Sequence, residues 1–314
     1  MTRPNFLVAT WSDGVLAFSG DAPSRELVGR SVRALGEDHR GTPLAIVDGR
    51  SVCRRSDDGN WSAIATSHVD LACIAATGEA IYLGTDEARV LRLTPDGRVA
   101  PLEGFDETPG RDDWYAGTAL VNGHLVGPPL GVRSMAVSSN GKELFANVHV
   151  GGIARSADDG KTWEATIDID ADVHEVRTHP FRPNVVVAAA AVGLCISRNG
   201  GLTWTVETEG LHASYCSAVA FAENDIFVAA STDHFASQGA LYRRHVDGQH
   251  RLERVDGLPE WLDGIVDTRC IATRGPTLAV ADNGGNLYGS VDAGRSWRKR
   301  AGGLPPVSSV LVVR

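Results

Sequence analysis

One eight-residue pattern occurs three times in this chain: SADDGKTW at 156–163, SRNGGLTW at 197–204 and SVDAGRSW at 290–297. A contracted copy, SDDGNW, lies at 56–61, and bare turn remnants stand at 95–97 (PDG) and 246–248 (VDG). The chemistry of the pattern is that of a hairpin turn. Its Asp or Asn accepts from local backbone amides, its Gly takes a φ > 0 position, and its Trp folds back over the turn. Self-similarity of this kind restricts the fold to repeat architectures, in which each unit buries its faces only by stacking on its neighbours.

The flanks define the unit. Upstream of the pattern come LFANVHVGGIARS (144–156), VVVAAAAVGLCIS (185–197) and LAVADNGGNLYGS (278–290), each reading as strand, glycine turn, strand. A further apolar run precedes each of these units. Aligned, the runs are SVRAL (31–35), DLACIA (70–75), VRSMAV (132–137), HEVRTH (174–179), YCSAVAF (215–221), DTRCIA (267–272) and SSVLVV (308–313). Seven such runs predict an all-β, seven-bladed β-propeller: four-stranded antiparallel sheets, innermost strand first, with the repeated turn between the third and fourth strands. The run at 308–313 is of the innermost type, whereas FLVAT at 6–10 reads as a second strand. The two ends are therefore expected to complete one blade and close a single domain, 1–314, without a free edge.

Composition narrows the partners. The chain has 314 residues, 43% of them hydrophobic and 22% charged, which suits a globular protein with a substantial core. A net charge of -9 with no basic patch repels a polyphosphate backbone, so no nucleic-acid partner is expected. The start MTRPNFLVATWSDG has no basic-then-apolar leader, and no run of about 18 apolar residues occurs, so no membrane partner and a cytoplasmic location are expected. Cysteines 53, 73, 195, 216 and 270 are odd in number, lack CxxC spacing and sit in apolar runs, which predicts buried thiols. A closed ring needs no second copy for stability, and the expected partner is a small molecule.

Ligands of a propeller meet the loops from the fourth strand of one blade to the first of the next, and those joining second to third strands. His149 ends a second strand, His174 opens the following innermost strand, His212 precedes the next one, and His234 lies in a second-to-third-strand loop. These four are predicted to converge on one mouth. His149, His174 and His212 could hold one divalent transition metal with open positions, or two imidazoles could exchange protons as acid and base. Plain loop histidines lining a polar funnel remain the alternative. Aligning the innermost runs puts Arg33, Arg133, Glu175 and Arg269 in one column, a fork-shaped anion site or a set of ion pairs with Glu175 and Asp267. Tyr215 adjoins that column. Two long connections, 103–131 and 256–267, bring Trp114, Tyr115 and Trp261 over the same face as candidate pocket walls or as packing aromatics.

The pattern S-x-D-x-G-x-[ST]-W resembles the Asp box, or bacterial neuraminidase repeat, of a propeller group that includes sialidases, sortilin-type receptor domains, xyloglucan-active glycosidases and photosystem II assembly factors. The resemblance implies that the boxes are structural, on the face away from the ligand. Arg33, Arg133, Arg269, Tyr215, Glu175 and Asp70 echo the sialidase set, but the N-terminal Arg-Ile-Pro segment is missing and seven blades replace six. Segments DVHEV and GLHASYC are similar to those of bacterial glycosyl-hydrolase-like Asp-box propellers. The function expected is a hydrolase-like propeller binding a small, anionic substrate, with His149, His174, His212, Glu175 and Asp267 as reacting groups. Alternatives are a noncatalytic ligand- or protein-binding scaffold and, third, a glycosidase using two carboxylates.

Overall fold

The computed structural model describes residues 5–20, 22–117, 119–121, 124–127, 129–248 and 251–313. It is an all-β, seven-bladed propeller. The innermost strands are Val32–Glu37, Leu71–Ala76, Val132–Val137, Val173–Thr178, Tyr215–Ala222, Ile271–Arg274 and Val307–Val313. Six of these match their aligned runs to within about two residues, whereas the sixth shares only Ile271 and Ala272 with DTRCIA, because residues 267–270 form a turn ahead of the strand. Blades one to six each continue outward in chain order as an antiparallel meander. The seventh combines both ends of the chain, since Val307–Val313 pairs with Asn5–Thr10, which leads to Val15–Phe18 and Ser24–Glu26.

The middle strands show why the sequence reads as continuous apolar runs instead of alternating ones. Both faces of a blade are covered by neighbouring blades, so every residue of Val186–Ala190 and Leu144–Val148 is buried. The core is accordingly distributed among the interfaces. Val187, Leu194 and Ile196 of blade four pack with Val219, Ile226 and Val228 of blade five, and Ala34, Leu44 and Ile46 of blade one with Leu71, Leu83 and Leu91 of blade two. All five cysteines lie buried and free in these layers.

The repeated turns join third to fourth strands as expected. In each full copy the Ser hydroxyl accepts from the turn-Gly amide: Gly160 N–H to Ser156 at 2.9 Å, Gly201 to Ser197 at 2.8 Å and Gly294 to Ser290 at 2.9 Å. Asp158, Asn199 and Asp292 accept from the amides of Thr162, Thr203 and Ser296 at 2.9–3.0 Å. The Trp does more than cover its own turn, because it wedges against the preceding blade: Trp163 joins the layer between blades two and three, and Trp204 and Trp297 do the same between their blades and the ones before. The turn glycine needs its lack of Cβ on two counts. Gly201 has φ 83°, and a Cβ there would sit 2.4 Å from Cε1 of Phe145 in the preceding blade.

Two features of the innermost strands set up the site. First, a bulge interrupts their pairing with the second strand, leaving Arg33, Ala72, Arg133, His174, Ser217 and Ser308 as the extra residue in blades one to five and seven. Second, the residue after the bulge can tie neighbouring blades together. An innermost strand has an open edge whose N–H groups need acceptors. Leu35 N–H finds Ser309 Oγ at 3.1 Å, Val176 N–H finds Ser134 Oγ at 3.0 Å, and Val219 N–H finds Glu175 Oε2 at 3.0 Å.

Candidate functional site

A cavity of about 440 Å³ opens on the face that carries the second-to-third-strand loops. Its position follows from a repeated backbone bond: the residue just after a second strand donates to the residue leading into the innermost strand of the same blade. Asp48 bonds Ser31, Asp86 bonds Asp70, His149 bonds Gly131, Ala191 bonds Asp172 and Trp11 bonds Pro306, all at 2.8–3.1 Å. Of these residues, Asp86, Gly131, His149, Asp172 and Trp11 line the cavity, together with Arg33, Arg133 and Arg269, Tyr215, His234 and Asp267. The exposed rings of Trp11 (45%) and Phe235 (63%) stand among its lining residues.

The arginines are anchored. Arg33 makes a two-pronged pair with Asp86, one arm at 2.6 Å. Arg133 donates to Thr268 Oγ1 at 3.1 Å and to Asp267 at 3.2 Å, and Asp267 also accepts from Thr268 N–H at 2.7 Å. Burial raises the Asp267 pKa, but Arg133 and that amide outweigh it, so the carboxyl stays below the usual range. Arg269, held at φ 67°, donates through Nη1 to the Arg133 carbonyl at 2.8 Å. Nε of Arg33 and Nε of Arg269 are buried without a hydrogen-bond partner.

Beside Arg133 the histidines gather around a carboxylate. His149 Nε2 and His174 Nε2 each lie 3.6 Å from an Asp172 oxygen, and the two rings are 6.3 Å apart, centroid to centroid. His174 is fully buried behind the cavity wall, with the Tyr215 ring 4.5 Å from its own. Its Nδ1 lies 2.6 Å from the Cys216 carbonyl, which can only accept, so Nδ1 carries a proton and Nε2 is the ring nitrogen turned toward Asp172. Asp172 sits at φ 48°, a left-handed conformation that an Asp adopts at a cost of about 1–3 kcal/mol. Burial, with the repulsion of Arg133, pushes the His149 pKa down to about 4. Gly117 lies against the His149 ring so closely that a Cβ would stand 2.3 Å from Cε1.

Several expected site residues stand elsewhere. His212 turns away from the mouth: its Nδ1 meets the Tyr242 hydroxyl at 2.8 Å, its amide donates to the same oxygen, and its ring abuts Trp261. It therefore does not join His149 and His174. Trp261 stacks under Arg254, 4.2 Å from the guanidinium carbon, and is not among the cavity walls. Trp114 is packed with Phe105 in the layer between blades two and three, clamped by Arg111. Tyr115, 52% exposed, borders a smaller neighbouring cavity beside Gly117 and Asp172. Glu175 is fully buried and holds Val219 N–H, Arg269 N–H and Arg177, so it is a tie between blades and not a wall of the mouth. Asp70 pairs with Arg50 on the surface.

The bulge explains the misplaced column. It inserts one residue into the innermost strands of blades one to five and seven, so the residue equivalent to Arg33 and Arg133 in blade four is His174, not Glu175, and in blade seven it is Ser308. Asp172, Asp86, Trp11 and Phe235 were not anticipated. The available signal for Asp172 was the D-x-H spacing at 172–174 directly ahead of the strand.

No family model matches the chain, and no curated protein matches it in sequence. Solved structures match it along its length. A 6-phosphogluconolactonase-like protein from Bacteroides uniformis aligns over 100% of both chains at 14% identity and a TM-score of 0.68. The GH74 xyloglucanase from Xanthomonas campestris aligns over 94% of this chain and 46% of its own at 16% identity, with a TM-score of 0.58. An ancestral GH74 enzyme aligns over 90% of this chain and 38% of its own at 14% identity, with a TM-score of 0.62. At such identities the likeness establishes the propeller fold.

Proposed function

We propose that this propeller is a hydrolase whose mouth binds a small, anionic substrate, with Arg133 and Arg269 orienting the anion and the His149–Asp172–His174 group acting on water. The observation that carries this is a cluster of three neighbouring residues that each keep one buried polar atom without a hydrogen-bond partner: Nδ1 of His149, Oδ1 of Asp172 and Nε2 of His174. Buried polar atoms are normally paired, and an unpaired set clustered beside a cavity is a feature of reacting and ligand-binding sites. The fold-level likeness to lactonase-like and GH74 propellers supports ester, lactone or phosphoester hydrolysis as the chemistry to try first. The neutral state of His149 lets its imidazole accept a proton or bind a Lewis acid. Free thiols at all five cysteines support a cytoplasmic location. Among the described residues no helix is long and apolar enough to cross a membrane.

A second reading, a noncatalytic binding scaffold, draws on Trp11 and Phe235, which leave apolar rings exposed at the mouth. The glycosidase reading loses Glu175 to its structural bonds and would have to rely on Asp267, Asp86 or Asp172. The deciding experiment is a screen of chromogenic esters, lactones and phosphoesters with wild type and His174→Ala. Turnover that is lost in the variant supports the hydrolase. Absence of any His174-dependent turnover across the three classes favours the scaffold.

A further inference from the structure

We propose that His149, Asp172 and His174 form a site for a single divalent first-row transition metal of the zinc class, and that the mouth takes up its anion only when this site is loaded. The inference rests on the reading of the mouth as an anion site, but the metal half stands on its own geometry.

The donor atoms already have nearly the required spacing. Two ligands about 2.1 Å from a common tetrahedral ion lie about 3.4 Å from each other. Each imidazole Nε2 is 3.6 Å from an Asp172 oxygen, and one donor atom from each of the three residues can be chosen so that all lie within 4.8 Å of one another. A direct imidazole–carboxylate hydrogen bond would bring those atoms below about 3.2 Å. The observed gaps are too long for that bond and suit an ion between the groups. His174 is prepared as a ligand in the usual manner of metal-binding histidines: Nδ1–H bonds the Cys216 carbonyl, so that in the neutral ring the lone pair is on Nε2, the nitrogen turned to the cluster. Two imidazoles and one carboxylate favour zinc, iron, cobalt or nickel over magnesium or calcium, which prefer all-oxygen shells. Because His149 and Asp172 line the cavity while His174 closes the site from behind, the remaining coordination positions face the mouth.

The second half follows from counting charge. The lining includes three arginines, Arg33, Arg133 and Arg269, and three aspartates, Asp86, Asp172 and Asp267. Arg33 is matched to Asp86 and Arg133 to Asp267. The formal charges of these lining side chains therefore cancel and by themselves offer an anion little attraction. A divalent ion on the cluster would raise the local charge by two, at the point where an anion could also complete the coordination shell. Phosphate and carboxylate share the needed chemistry, and inorganic phosphate serves as the probe.

The test is calorimetric titration of chelator-treated full-length protein with zinc, followed by titration of inorganic phosphate into the metal-free and the zinc-loaded protein. Expected are one zinc per chain, affinity weakened by at least about tenfold in Asp172→Asn and His174→Ala but unchanged in His212→Ala, and phosphate binding to the loaded form alone. Asn tolerates the left-handed backbone at 172, so that variant keeps the turn, and circular dichroism verifies folding in the same samples. Zinc binding that is absent, or insensitive to Asp172→Asn, overturns the metal site. Equal phosphate binding with and without zinc overturns the coupling. His174-dependent turnover by demonstrably metal-free protein would overturn this inference while leaving the hydrolase standing, whereas zinc binding without turnover would do the reverse.

Discussion

Glu175 offers the sharpest test of how the ring is held together. Its carboxylate is fully buried, accepts Val219 N–H at 3.0 Å and Arg269 N–H at 3.2 Å, and pairs with Arg177. In Glu175→Ala both amides lose their acceptor. A buried donor left unsatisfied costs about 1–3 kcal/mol, so the two together should cost about 2–6 kcal/mol. The Arg177 arm adds little, because that side chain is 37% exposed and water screens the pair. Glu175→Gln keeps one acceptor oxygen and turns an N–H₂ toward the other amide, so it should cost about half as much, about 1–3 kcal/mol. Ser309→Ala removes the single acceptor of Leu35 N–H at the equivalent position of blade seven and should resemble the Gln variant. Urea unfolding at matched slopes, read by tryptophan fluorescence, gives the order directly. If Glu175→Ala unfolded within about 0.5 kcal/mol of wild type, the tie between blades would be refuted. A variant of undiminished stability that had lost turnover would return the carboxylate to the reacting groups.

The repeated turns carry two further predictions. Gly201→Ala forces a Cβ against Phe145 at φ 83° and should cost about 2–5 kcal/mol, from left-handed strain and overpacking together, measured by the same unfolding assay. Asp158 and Asp292 are held at about 2, Asp158 mainly by the Thr162 amide and hydroxyl and Asp292 mainly by the Ser296 hydroxyl and amide. Because the folded values lie below the unfolded value near 3.9, their contribution is complete above about pH 4 and is lost as the pH falls toward 2. The Asp158→Asn/Asp292→Asn protein should therefore show a flatter fall of melting temperature between about pH 4 and 2 than wild type. An unchanged slope would mean that these carboxylates contribute no such term.

The blades were legible because their turns combine a fixed-φ glycine, a capping Asp or Asn and a tryptophan at constant spacing, and because Val185 to Ala190 is apolar throughout and its counterparts are mostly so. Side-chain direction was not. His212 occupies the connection where a site residue belongs, yet the phenol of Tyr242, thirty residues on, draws its ring outward. Trp114 lies in the overhanging insertion, and contact with Phe105 and Arg111 makes it part of the layer between blades. A one-residue bulge leaves no mark in the composition of VHEVRT, so alignment by sequence puts Glu175 in the place in the column that belongs to His174. Asp172 escaped notice for a related reason: a D-x-H pair serves one cluster here only because the chain enters the strand through a left-handed turn.

The way the ring closes also governs its assembly in time. Asn5–Thr10 must pair with Val307–Val313, a partner made about 300 residues later. At about 5–20 residues per second, the early strand waits of the order of 15–60 seconds on the ribosome, with Leu7 and Val8 apolar on both of its faces. During that interval the hairpin that it forms with Val15–Phe18 has an uncovered edge suited to pairing with another nascent chain. The last strand thus acts as a latch whose arrival ends a period of exposure to aggregation, and variants that slow or weaken its docking should be lost first to misassembly during synthesis, before any change in the finished protein can be measured.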